Sequence, residues 1–288
     1  MCKVIAGIVT FNPNIIRLKK NIESISSQVM QVCIVDNCSK NIMDICELKK
    51  IYNVHVIKNL QNNGIAYALN QIMEYAKNNK YEWCVTLDQD SVSPMNLISE
   101  AKNIFEYKNI GQIVPTILED RTNEFCYLGT KLDNERFQKV SKSITSASIN
   151  NVYAWEKCGR FDDDLFIDYV DYDYCMKLRK ANFEIYRMNY VVLNHQIGDS
   201  FNVNLFGFKV RVGNHSAFRK YYMGRNIVIY INRYKNDINC VKEYLRLIKI
   251  FLLILFFENN KFKKVKSFLC GINDGLKYID KYKKKGEL

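Results

Sequence analysis

Three groups of side chains in this 288-residue chain have the types and spacing for chemistry. "WCVTLDQDSVSP", Trp83 to Pro94, runs an apolar segment into two carboxylates, Asp88 and Asp90, that flank Gln89. Aspartates at i and i+2 beyond a strand reach one side of the chain together. Converging carboxylates suit a hard divalent cation, Mg2+ or Mn2+, completed by phosphate oxygens and water. The competing role is capping of the helix that follows. A second group, "LFIDYVDYDYC", sets Asp168, Asp171 and Asp173 around a helix start, where the helix dipole favours negative charge. One of these carboxylates is suited to take a proton from a hydroxyl, with capping and solvation as the alternative, above all for Asp173. Finally, "LNHQIG" places His195 after an apolar strand, where imidazole completes a metal shell or serves structure.

The elements that must position these groups alternate. "KVIAGIVTF" reads as a strand ending at Asn12-Pro13, and an amphipathic stretch follows from Ile15 to Ile25. "VCIVDNCSK" is a short strand ending in Asp36 and Asn37; a helix near 43–51, the strand "VHVIKN", a helix opening at Gly64 and the strand 83–87 complete the series. Four β–α repeats predict a mostly parallel sheet flanked by helices, with ligands beyond the carboxyl ends of its strands. Asn12, Asp36 and the Asp88–Asp90 pair all fall at such ends. Residues 110–165 are less regular, and "EFCYLGTKL" and "RFQKVSKSITSASI" suggest strands of a smaller antiparallel part. A helix is expected from Tyr169 to Ala181, then "FEIYRM" and "YVVLNH" as two strands, then three helices near 214–236, 240–258 and 261–281.

Composition narrows the setting. Ten scattered cysteines without a CxxC pair predict reduced, mostly buried thiols, and "MCKVIAGIVTFNP" begins directly as a strand, which together predict a cytoplasmic protein. The net charge of +12 is uneven, with 14 Lys/Arg against 6 Asp/Glu from Arg233 onward. "LRLIKIFLLILFF", Leu245 to Phe257, is too short and too charged for a span of roughly 20 apolar residues. With "KFKKVK" next to it, the run predicts a helix lying on an anionic membrane surface, the alternatives being a buried helix or a homo-oligomer interface. The positive charge interleaves with aliphatic runs instead of forming a nucleic-acid reader motif, so no nucleic-acid partner is expected.

In order, "VTFNP", "IVDNCS", "NNGIAYALN", "EWCVTLDQDS", "ITSAS", "LFIDYVDYDYC", "LNHQIG", "HSAFRKYYMGRN" and "GINDGL" resemble the inverting family 2 glycosyltransferases of GT-A fold, especially the bacterial rhamnosyltransferases. The resemblance implies a GT-A (Rossmann-like) domain, over 1–212, and the basic, apolar-faced helices of 213–288 are expected to form a membrane-associating region. It implies a donor site of Thr10, Asn12, Asp36, Asn63, Gly64, Asn70, Asp88 and Gln89, with Arg219, Tyr222, Arg225 and Asn226 closing over phosphates. Asp90 and His195, with Asp88, would hold the metal; Asp171 would be the catalytic base; Ser146, Ala147, Trp155 and Asp168 would meet the acceptor. Ala147 stands where relatives usually carry glycine, and Val170 where many carry Glu. The implied reaction moves L-rhamnose from dTDP-L-rhamnose to a lipid-linked glycan of bacterial surface polysaccharide, at the inner face of the plasma membrane. A UDP-sugar donor or a non-catalytic glycan-binding role are the alternatives. A glycoside hydrolase would have no use for a base-binding Asp36 or a metal-binding DxD.

Overall fold

The computed structural model describes residues 2–119, 124–126, 128, 130–195, 201–205 and 208–285. β-Branched residues dominate the opening segment, which forms β1 (Val4–Thr10). The alternation expected from the sequence follows as α1 (Ile15–Ser26), β2 (Val32–Asp36), α2 (Ile42–Glu47), β3 (Val54–Lys58), α3 (Ile65–Asn78) and β4 (Trp83–Asp88). Next come α4 (Leu97–Ala101), β5 (Ile110–Glu119), β6 (Glu124–Cys126), β7 (Phe137–Lys139), β8 (Ser148–Asn151), α5 (Val152–Lys157), α6 (Val170–Lys180) and β9 (Glu184–His195).

One sheet takes up all nine of these strands, in the order β3-β2-β1-β4-β8-β5-β9-β7, with β6 paired to the end of β5 at Ile117–Glu119. β3, β2, β1 and β4 are mutually parallel. Val4, Ala6 and Ile8 of β1 join Leu18 and Ile22 of α1 in one apolar cluster. Leu69, Ile72 and Met73 of α3 are buried outside that cluster, and α3 packs on β1, β2 and β4. Helices therefore cover both faces, which is why β1, β2 and β4 read as unbroken apolar runs.

Beyond β4 the sheet is mixed, and two expectations change. Among the described residues the irregular middle forms no separate antiparallel part: β6, β7 and β8 join the main sheet, β8 running antiparallel between β4 and β5. "FEIYRM" and "YVVLNH" are one strand, whose pairing with β5 jumps from Pro115–Met188 to Thr116–Val192. The irregularity turns Asn189 inward, where its amide donates to the Asp133 carboxylate at 2.8 Å and the Glu135 carbonyl at 2.9 Å.

The chain divides into two compact units, one of residues 1–166 and 170–196, the other of 167–169 and 197–288. The second unit contains an antiparallel pair, β10 (Phe201–Leu205) and β11 (Phe208–Val212), and the three expected helices α7 (Ala217–Arg233), α8 (Cys240–Phe257) and α9 (Lys261–Lys285). α7 and α9 pack backbone to backbone at "GINDGL", where a β-carbon on Gly271 would lie 2.0 Å from the Tyr221 carbonyl oxygen. Beside them, Lys220 and Lys264 share buried Glu258, at 2.5 and 3.0 Å. Burial, then the Arg219 charge, press the His215 imidazole down from its ordinary 6.5 to about 4.

Folding therefore favours neutral His215, the unfolded chain binds the extra proton between those two values, and stability falls as pH drops through that window. Urea unfolding should show His215→Gln losing on the order of 2 kcal/mol less than the parent between pH 7.5 and 5; parallel losses would show that His215 is not the titrating group.

Candidate active site

Parallel pairing sets β2, β1 and β4 level at their carboxyl ends: Thr10 lies beside Asp36, and Val9 beside Asp88. The polar groups predicted there meet as a hydrogen-bonded edge. Thr10 donates its hydroxyl to Asp36 Oδ1 at 2.9 Å, and the Ser39 amide donates to Asp36 Oδ2 at 2.8 Å. The Ser39 hydroxyl also donates to Oδ1, at 2.5 Å, so Asp36, almost fully buried, keeps one lone pair on Oδ2. Asn12, in left-handed backbone at φ 49°, ties the β1 and β2 loops together. Its backbone amide donates to Ser39 Oγ at 2.7 Å, and its side-chain Oδ1 accepts from the Lys40 amide at 2.9 Å.

The Asp88-Gln89-Asp90 turn is held from two sides. Gln89 accepts from the Phe11 amide at 2.8 Å, locking it to the β1 loop. Asn21 of α1 donates to the Asp88 carbonyl at 2.7 Å, Arg17 to the Asp90 carbonyl at 3.1 Å, and Gln28 to the Pro94 carbonyl at 2.9 Å, while Ser24 Oγ accepts from the Ser93 amide at 2.9 Å. Arg17, Asn21 and Ser24 recur every three or four residues as a polar stripe on an otherwise amphipathic α1, and Gln28 extends it just past the helix end. The stripe holds backbone only, so the Asp90 side chain stands exposed. Ser91 and Ser146 share a 2.6 Å hydroxyl contact that joins this turn to "ITSAS".

Among the described residues no three His, Cys, Asp or Glu side chains gather as a metal site. The His195 side chain lies outside the described residues; its backbone ends β9, paired with Glu119. Two carboxylates at a strand end still fit a hard cation that fills its remaining positions with phosphate oxygens and water.

Several expected donor and acceptor residues are occupied within the fold. Gly64, the N-cap of α3, adopts φ 90° and ψ 171°, and the close approach it allows is to Phe166: a β-carbon would lie 2.6 Å from that carbonyl oxygen. The same oxygen accepts from the Ile65 amide at 2.6 Å. Asn63 accepts from Gln61 at 2.9 Å. All four hydrogen-bonding valences of the Asn70 amide are filled, by the Phe161 backbone twice, by Asp163 and by Trp155 Nε1. Trp155 is completely buried and packs the core. Ser146 lines a small pocket with Val114, Ile117 and Lys142, while Ala147 is fully buried at φ 55°. Left-handed backbone of this kind favours glycine over alanine.

Asp171 sits in the first turn of α6, part-exposed, its Oδ1 accepting from the Tyr172 amide at 2.9 Å. Asp173 is buried, 3.3 Å from Lys177, so it serves the helix as an ion pair instead of being solvated. Directly before α6, Phe166, Asp168 and Tyr169 all have positive φ, 60–66°. Such backbone persists only where its surroundings over-determine it. Within the second unit, Arg219 grips Asp168 through both carboxylate oxygens, at 2.9–3.2 Å. Asn226, completely buried, donates to the Ile167 and Asp168 carbonyls at 2.8 Å each, and Tyr169 donates to Glu243 at 2.9 Å. The face of α7 expected to close over phosphates thus holds this strap with Arg219 and Asn226. Arg225 lies over the rings of Tyr222 and Tyr278, at 5.4 and 5.9 Å.

An acidic turn beyond level parallel strands, on a sheet of this order, defines the GT-A class of glycosyltransferases. Solved structures agree on the fold: GalNAc-T7 with UDP, GalNAc and Mn2+ superposes with a TM-score of 0.55 at 14% identity, over 67% of this chain and 43% of that one. S. aureus TarS 1-349 in complex with UDP-GlcNAc gives 0.55 at 13% identity, over 95% and 80%. Residues 6–169 match the model of glycosyl transferase family 2, more than half of the chain, and the chain belongs to that family. It is also 26% identical, over 96% of both chains, to the dTDP-rhamnosyl transferase RfbF of Shigella flexneri.

Replacing Gly64 by Ala should cost about 2–3 kcal/mol from backbone strain alone, read as a lowered unfolding midpoint. At Ala147, glycine should be within about 1 kcal/mol of the parent, because relief of strain offsets a lost buried methyl, whereas Ala147→Val should cost more than about 2 kcal/mol. A tolerated valine would refute the left-handed assignment.

Proposed function

We propose that the chain is an inverting rhamnosyltransferase that uses dTDP-L-rhamnose and glycosylates a hydroxyl of a lipid-linked glycan in bacterial surface polysaccharide. The observation that carries it is the level edge of Thr10, Asp36 and the Asp88–Asp90 turn, a place for base, ribose and diphosphate together; likeness to a dTDP-rhamnosyl transferase over nearly all of both chains supports the sugar. Thr10, Asn12 and Asp36 face the nucleotide base, with the open lone pair of Asp36 accepting its N–H. Asp88 and Asp90, with His195, would hold Mg2+ or Mn2+, whose chemistry when bound is to offset the charge of the departing diphosphate. Asp171 takes the proton of the acceptor hydroxyl, whose oxygen attacks the anomeric carbon opposite the leaving nucleotide and inverts it in one step. A single base suffices, since a diphosphate leaves without the protonation that a glycosidase must give its leaving oxygen. Arg219 and Asn226 are positioning residues: they hold the strained strap that runs directly into Asp171.

Calorimetry with dTDP-rhamnose, UDP-glucose, UDP-N-acetylglucosamine and GDP-mannose, each with Mn2+ or EDTA, tests the donor. Metal-dependent binding of dTDP-rhamnose alone, lost in Asp90→Asn, is expected; preference for a UDP sugar would discard rhamnose. Asp171→Asn should keep donor affinity and lose about 10^2- to 10^4-fold in kcat, and unchanged turnover would remove Asp171 as the base. Arg219→Ala should lower kcat with donor affinity intact, whereas a phosphate-binding Arg219 would weaken donor binding instead.

A further inference from the structure

α8 is apolar on two sides, and only one of them is used inside its unit. Glu243 and Ile254 face inward, Glu243 accepting from Tyr169 and Ile254 completely buried, with Ile250 half-buried between them. On the opposite side Val241, Tyr244, Leu245, Ile248, Leu252 and Phe256 follow one another at steps of one, three and four and are 43–68% exposed. That spacing makes one continuous stripe along the helix. Phe262, at the start of α9, is 95% exposed.

The charges around the stripe are of one sign. Lys242, Arg246, Lys249, Lys261, Lys263 and Lys266 are exposed, whereas the only acids between 240 and 266, Glu243 and Glu258, are both buried. A second copy of the chain would bring an identical basic face against this one, which repulsion opposes. Anionic lipid meets both demands, taking the apolar side chains among its acyl chains and the lysines at its headgroups. At 18 residues, and with no helix among the described residues long and apolar enough to cross a bilayer, α8 suits lying in the plane.

We propose that the outward face of α8, with Phe262 and the lysines of early α9, docks the protein on anionic phospholipid. This deepens the lipid-linked acceptor reading and rests on it for its purpose, although docking itself is measurable without any substrate.

The test is cosedimentation of the full chain with vesicles of phosphatidylcholine alone or with added phosphatidylglycerol, at low and high salt, beside light scattering of the chain alone. Anionic vesicles should retain it roughly tenfold better than neutral ones, and high salt should remove most of that preference. Leu245→Glu with Leu252→Glu should abolish retention, and Lys249→Glu with Lys263→Glu should erase only the anionic preference. Circular dichroism and calorimetric donor binding should be unchanged in both, so a failed docking model and a failed donor assignment are told apart. Should the leucine pair not fold, Phe262→Ser replaces it, since that ring is solvent-exposed and its loss costs the fold little; retention should fall several-fold. Equal retention by both vesicle types, or none by either, overturns the proposal. A dimer that Leu245→Glu with Leu252→Glu dissolves would assign the face to a second copy instead.

Discussion

Everything at the candidate site depends on β2, β1 and β4 ending level. Their parallel register puts Thr10 beside Asp36 and Val9 beside Asp88, and a slip of one residue would turn each of these side chains to the opposite face. Once Ala6, Ile8, Val32, Ile34, Val85 and Leu87 are placed in the core, Thr10, Asp36 and Asp88 have nowhere to go but the edge. The loops leaving that edge are then held by side chains: Asp36 by Thr10 and Ser39, the acidic turn by the stripe of α1. A preorganised polar edge of this kind keeps its geometry while a charged ligand arrives and leaves.

The same dependence explains what the residues revealed on their own. The alternating first half was legible because each strand is a continuous apolar run closed by turn residues, and those signals are local. The three late helices were legible for the same reason. The fate of the middle was not: β6, β7 and β8 are three or four residues long, and nothing local tells a short strand whether it joins a large sheet or forms a small one. β9 was divided in two because its irregular step lies at Asn189, which resembles a turn residue until Asp133 and Glu135 are seen to pair with it.

At the site, residue type was legible and role was less so. Asn70 and Trp155 are of types that bind sugars, but their bond to each other is made across 85 residues and is invisible in sequence. Gly64 signals a close approach without naming the partner, which is the Phe166 backbone. Asn226 and Arg219 share a helical face as expected, yet their partners are a backbone segment and a carboxylate of their own unit. The stripe Arg17, Asn21, Ser24, Gln28 shows that polar residues at helical spacing merit the attention usually given to apolar ones.

Residues 167–169 belong to a unit whose remaining members are all made later, from residue 197 on. A ribosome delivers the first sheet, α6 and Asp171 well before Arg219, Asn226 and Glu243 exist. Domains fold as they emerge, so in the nascent chain residues 167–169 lack their bonds to Arg219, Asn226 and Glu243 until α7 and α8 have been added. A truncated product would carry Thr10, Asp36 and Asp171 without the partners that hold residues 167–169. Completion of the polypeptide thereby becomes a condition for fixing residues 167–169, a dependence on synthesis order written into chain topology.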